Sequence, residues 1–152
     1  MALYLVQHGK NLSKEIDPDQ GLSEEGLREV ARIAKTAADY NVIVGSIEHS
    51  GKKRAAQTAE IFAETLGVST VSATEGLKPL DDVVGKAAAA NPGANQMLVG
   101  HLPFMERMVA YLTTGSTDYT VFKFQNGGIV CVDKLEDSGL WAIQWALMPH
   151  VR

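Results

Sequence analysis

Cysteine is nearly absent. Cys131 is the only one among 152 residues, so no disulfide can form within the chain. That suits a reducing cytoplasm, the compartment expected here. Its neighbours, Gly128-Ile129-Val130 and Val132, are apolar, the setting of a buried structural thiol rather than a nucleophile. Runs of like charge are missing too. The formal net charge is -4, and the nearest thing to a basic patch is Lys52-Lys53-Arg54. A nucleic-acid or anionic-membrane partner needs a larger patch, so neither is expected. No apolar stretch approaches the ~20 residues that span a bilayer. The N-terminus has neither the basic start nor the long apolar run of a signal peptide. Repeats, low-complexity tracts and linkers are also lacking, so residues 1–152 read as a single domain.

What is present is an ordinary globular composition, 45% hydrophobic and 21% charged. Strand-like and helix-like segments alternate. Ala2 to Val6 is a short apolar strand. Ser23 can cap a helix whose first turn holds Glu24 and Glu25, with Leu27, Val30, Ala31 and Ile33 recurring at helical spacing. Val42 to Ile47 reads as a strand and Lys53 to Leu66 as a helix closed by Gly67. Val68 to Val71 is a short strand, and Val83 to Ala90 an alanine-rich helix ended by Asn91-Pro92-Gly93. Gln96 to Gly100 is a strand and Phe104 to Leu112 a helix. Val121 to Phe124, Gly128 to Asp133 and Leu140 to Leu147 read as a C-terminal β-meander. The expected fold is therefore a three-layer α/β/α sandwich. Its central sheet is mostly parallel, with antiparallel edge strands from the meander. Trp141 and Trp145 share strand parity, which predicts one face for both.

Ligands of such sheets bind outside the carboxyl ends of the parallel strands. Three of those ends carry unusual residues: Gln7-His8-Gly9, His49-Ser50-Gly51 followed by Arg54, and Gly100-His101-Leu102-Pro103. Two imidazoles and a guanidinium can thus meet in one crevice. A neutral imidazole is a competent nucleophile toward phosphorus. A second, protonated histidine would stabilise charge on the transferring group, and Arg54 offers bidentate donors to phosphate oxygens. Gly9 would let the backbone approach the ligand. No metal or other cofactor is expected: His8, His49 and His101 lack a local ligand spacing, and no cysteine joins them. His150 is expected to be exposed.

The motifs around these residues are specific. Leu5-Val6-Gln7-His8-Gly9 resembles the R-H-G motif of the histidine phosphatase superfamily, the phosphoglycerate-mutase-like proteins. Ser50 to Ala59 is similar to that family's S-P-x-x-R-A-x-Q-T-A element, and Val99-Gly100-His101-Leu102-Pro103 to its V-G-H-x-P element. Leu22-Ser23-Glu24-Glu25-Gly26 matches the L-[ST]-x-x-G that opens its first helix. The short chain is similar to the SixA-type phosphohistidine phosphatase branch. The resemblance implies that His8 takes the phosphoryl group and that Arg54 and His101 hold it. It also implies that Asn11 sits near the phosphate. The loop after the third strand, where larger relatives carry a general acid, offers Glu75 first, then Asp81 and Asp82.

The departures are equally specific. Gln7 stands where the family has arginine, Gln20-Gly21 where the branch tends to have arginine-proline, and Gly51 where proline is usual. Gln7 can donate a hydrogen bond to phosphate but brings no charge; Lys10, Lys14, Lys52 or Lys53 would be needed to replace what is lost. Two outcomes stay open. One is a metal-independent phosphatase acting on a phosphohistidine protein or a small phosphomonoester through phospho-His8. The other is a weakened or inactive member that binds phosphate or a phosphorylated protein without turnover. The expected partners are a phosphorylated protein or small phosphate ester, and inorganic phosphate.

Overall fold

A computed structural model describes residues 2–151. The strands are β1 (Leu3–Gln7), β2 (Ser46–His49), β3 (Val71–Ala73), β4 (Gln96–Gly100), β5 (Ile129–Lys134) and β6 (Trp141–Leu147). The helices are α1 (Glu24–Asp39), α2 (Lys53–Leu66), α3 (Val83–Ala89) and α4 (Phe104–Thr114). They form one six-stranded sheet in the order β3-β2-β4-β1-β5-β6. β1 to β4 run parallel, whereas β5 and β6 are antiparallel. Among the described residues no helix is long and apolar enough to cross a membrane.

Alternation along β1 and β4 explains the layers. Tyr4, Val6, Met97 and Val99 face α1 and α2, packing with Val30, Ile33, Ala59 and Phe62. Leu3, Leu5 and Leu98 face α3 and α4, packing with Val83, Phe104, Met105 and Met108. Each β1 residue from Leu3 to Gln7 is buried, as a central strand covered on both faces requires. The Ser23 hydroxyl accepts the N–H of Gly26 and caps α1 as the sequence implied.

Three local expectations are corrected. β2 begins at Ser46 rather than Val42, because pairing with β4 starts only at Ser46 opposite Gln96; Val42 still bonds back to Ala37 of α1. The segment Val121–Phe124 is extended but belongs to no strand, so the C-terminal part is a hairpin rather than a three-stranded meander. Its Phe124 N–H goes to the Glu106 carboxylate, and Phe122 stacks edge-on against Phe124. Finally, Trp141 and Trp145 face opposite sides. A β-bulge between Cys131 and Val132 shifts the β5–β6 register by one residue. Trp145 therefore packs on the α1/α2 side beside Tyr4, and Trp141 on the α3/α4 side.

Candidate active site

β1 and β4 end side by side, with Gln7 in register with Gly100, so the residues that follow leave the sheet together. His8 donates its backbone N–H to the Gly100 carbonyl, and the rings of His8 and His101 lie 4.9 Å apart, tilted by 55°. Both are buried. Arg54 projects from the first turn of α2, near enough for its charge to act on both imidazoles.

The tautomer of His8 follows from one contact. Its Nδ1 lies 2.8 Å from the Gly9 carbonyl oxygen, which can only accept. Nδ1 therefore carries the proton, and the Nε2 lone pair of the neutral ring remains available. Burial first, then the Arg54 charge, pushes the His8 pKa below its ordinary value; the Gly9 contact opposes this. His101 is pushed further, to about 4, by burial and then by the charges of His8, Arg54 and Lys52. Both rings are thus neutral at neutral pH. The sequence allowed for a protonated second histidine; burial of His101, and then the cations around it, work against that.

Further residues, some inside the motifs and some outside them, hold the pair in place. The Ser50 hydroxyl lies 2.6 Å from His101 Nε2. Thr58, fully buried, accepts the Gly9 N–H at 2.9 Å and donates to the Arg54 carbonyl at 2.7 Å, tying the histidine loop to the arginine helix. The neighbouring Gln57 accepts the Leu22 N–H with its side-chain oxygen. On the other side Asn126 donates to the His8 carbonyl, and the Gly127 N–H reaches the carbonyls of Gln7 and His8. Thr58 had a sequence signal in its Q-T-A setting. Asn126 had none, since it meets His8 only through a separation of 118 residues.

Other expected residues lie as follows. Gln7 is buried, and its amide oxygen has no hydrogen-bond partner among the described residues. Asn11 is half-buried, with its amide turned to the Leu12 carbonyl. Glu75 is exposed and lines a separate concavity with Asp81, Asp82 and Lys86. Asp82 is occupied in capping α3, and Asp81 accepts the Lys78 N–H. His49 accepts the Gly51 N–H at the rim. His150 is exposed, yet its ring pairs with Glu29 of α1. Burial pushes the Cys131 thiol up to about 11, as befits a core thiol.

Two glycines have structural reasons that the sequence reading did not give. A Cβ on Gly9 would meet Val30 at 2.6 Å and Leu22 at 3.1 Å, so packing under α1 favours glycine there. Gly51 has φ +90, which proline, locked near -65°, cannot adopt. The loop after β2 therefore takes a backbone path closed to the proline of the motif.

Residues 3–81 match the model of the histidine phosphatase superfamily, branch 1. The chain belongs to that superfamily. It is thereby a phosphatase-type hydrolase, with the fold expected from its motifs. The structure is similar to the protein histidine phosphatase SixA solved with tungstate, at 27% identity and a TM-score of 0.82, over 98% of this chain and 97% of the other. It also resembles a protein assigned as the phosphohistidine phosphatase SixA of Agrobacterium tumefaciens, at 23% identity and a TM-score of 0.78, over 97% of each chain. A phosphoserine phosphatase from Entamoeba histolytica shares the fold at 16% identity and a TM-score of 0.71, over 95% of each chain. No curated protein sequence matches this superfamily member.

Proposed function

We propose that the whole chain works as one domain, a metal-independent phosphatase that transfers the phosphoryl group of a phosphohistidine protein, or of a small phosphomonoester, to Nε2 of His8. The observation that carries this reading is the His8 tautomer: Nδ1–H is committed to the Gly9 carbonyl, which leaves Nε2 as a lone-pair nucleophile beside a second imidazole. In the first step a P–Nε2 bond forms as the bond from phosphorus to the leaving nitrogen or oxygen breaks. A leaving imidazole takes its proton from water. In the second step water attacks phospho-His8, the P–Nε2 bond breaks, and inorganic phosphate departs.

Arg54 offers paired N–H donors to the transferring oxygens, and Gln7 offers an amide N–H. Asn11 is a further polar neighbour of the phosphate. Burial, and then the surrounding cations, depress the His101 pKa; an anion beside the ring opposes both and favours its protonated, donating form as charge develops. Glu75, exposed in the loop after β3, is the first candidate for a general acid where the leaving group needs one. The likeness to SixA supports the phosphohistidine reading.

A second reading is favoured by Gln7 alone. With an uncharged side chain at the arginine position, the site would hold phosphate or a phosphorylated protein without turning it over. Hydrolysis of a phosphohistidine-bearing protein and of an aryl phosphate, with EDTA present, separates the two. The phosphatase reading expects a rate at least 100-fold above that of His8→Ala, within the span that nucleophile and electrostatic contributions supply. Equal rates would leave the binding reading.

A further inference from the structure

Beside the imidazole pair the surface opens into a concavity of about 660 Å³, lined by Lys14, Asp19, Gln20, Lys52, Lys53 and Arg54 among others. The chain as a whole carries -4, yet this wall holds four cations against Asp19. Lys53 is neutralised by Asp17 at 2.9 Å. Lys14 and Lys52 have no ion pair among the described residues, and both are exposed.

The arrangement runs against local electrostatics. Lys52, Lys53 and Arg54 stand at the positive end of α2, whose first turn contains no acidic residue and whose N-cap makes no side-chain hydrogen bond. Cations there are unfavourable. Gln20 adds a left-handed backbone, φ +53, unusual for a residue other than glycine and found where a local cost is tolerated for a site. The loop bearing Lys14 is held to α2 by the Asp17–Lys53 pair and by the Asp17 contact to the Gly21 N–H, so the two free lysines flank a structured cleft.

We propose that Lys14 and Lys52 form a second-anion subsite, which takes a negatively charged group carried by the same ligand whose phosphoryl group lies among His8, Arg54 and His101. This rests on the phosphoryl position argued above. The favoured ligands bear a second anion close to the phosphate. Acidic side chains flanking a phosphorylated residue and the second phosphate of a small bisphosphate are the two sources of that chemistry. The charge missing at Gln7 is thus offset outside the phosphoryl pocket, by cations that only a doubly anionic ligand reaches.

Binding to the His8→Ala protein tests this without turnover. Four probes are titrated: phenyl phosphate, an alkyl bisphosphate, and phosphoserine peptides flanked by glutamates or by alanines. The subsite predicts about tenfold tighter binding of the bisphosphate or the glutamate-flanked peptide than of its singly charged counterpart, weakening as salt rises. Lys14→Ala/Lys52→Ala should erase that difference while leaving phenyl phosphate within about twofold, and Lys35→Ala, on the far part of α1, should change nothing. A gain for the peptide alone identifies a protein ligand, and a gain for the bisphosphate alone a small one. No gain for either probe, or an equal loss of phenyl phosphate in the double variant, overturns the subsite. Turnover by the wild-type protein is read separately, so loss of the phosphatase reading and loss of the subsite are distinguishable.

Discussion

At the scale of single residues, His8 and Gln7 sit next to each other and face opposite problems. His8 has its proton placed by a backbone carbonyl, while the Gln7 amide oxygen is buried without a partner. An unsatisfied buried acceptor costs about 1–3 kcal/mol. The Gln7→Arg variant should raise kcat/KM toward a phosphohistidine protein by about 100-fold, since a charged donor at developing negative charge is worth that much. Steady-state kinetics of the two proteins decide the matter. An unchanged or lower rate would mean that the glutamine serves a ligand other than a simple phosphoryl group. His8, Arg54 and His101 were legible from the sequence because each lies inside a short motif whose backbone setting is local: a strand end, a first helical turn, a strand end. Asn126 was not, because its contact with the His8 carbonyl exists only once the loop before β5 has folded against β1. The reason for Gly9 was also hidden, since the atoms that exclude a Cβ belong to Val30 and Leu22.

At the scale of elements, the site depends on how α2 is docked to the end of β1. Thr58 makes that joint, with one hydroxyl serving the Gly9 N–H and the Arg54 carbonyl. Thr58→Val keeps the shape and removes the hydroxyl, leaving a buried N–H unpaired. The expected cost is about 1–3 kcal/mol, read from the denaturant midpoint. Because His8 and Arg54 would lose their common anchor, kcat should fall about tenfold while KM changes little, and Thr58→Ser should recover most of it. A fall in stability with kcat unchanged would assign Thr58 to the core alone. The element boundaries show what periodicity can and cannot deliver. α1 and α2 stand where the sequence placed them, because a hydroxyl cap and a terminal glycine are chemical signals in the chain itself. The expected strand over Val121–Phe124 failed because strand pairing needs a partner, and no strand among those described takes it. The parity of Trp141 and Trp145 failed because a one-residue bulge reverses every side chain beyond it.

At the scale of the whole molecule, the buried imidazoles make stability depend on pH. Both His8 and His101 have lowered pKa values in the folded state, so the unfolded chain binds more protons between the unfolded histidine value of about 6.5 and the folded value of His101, about 4. The histidine contribution to stability should therefore fall as pH drops through that window and level off below it. Chemical denaturation at pH 7, 5.5 and 4.5 measures the slope, and His101→Asn should flatten it. Asp17 acts lower and for a different reason. The Lys53 hydrogen bond, with the Gly21 and Asp19 N–H groups, holds its carboxyl to about 2, so its share of stability is lost only as pH falls from the ordinary carboxylate range toward 2. The amino-acid sequence by itself determined the alternation of strands and helices, hence the layered fold, and the motif residues at the strand ends, because hydrophobic period, caps and strand-end motifs act over a few neighbouring residues. Only the tertiary structure decided the protonation of His8 and His101, the joint at Thr58 and the cationic cleft of Lys14 and Lys52. Burial, proximity of charges and packing against distant segments arise when the strands converge, and no local stretch of chain encodes them.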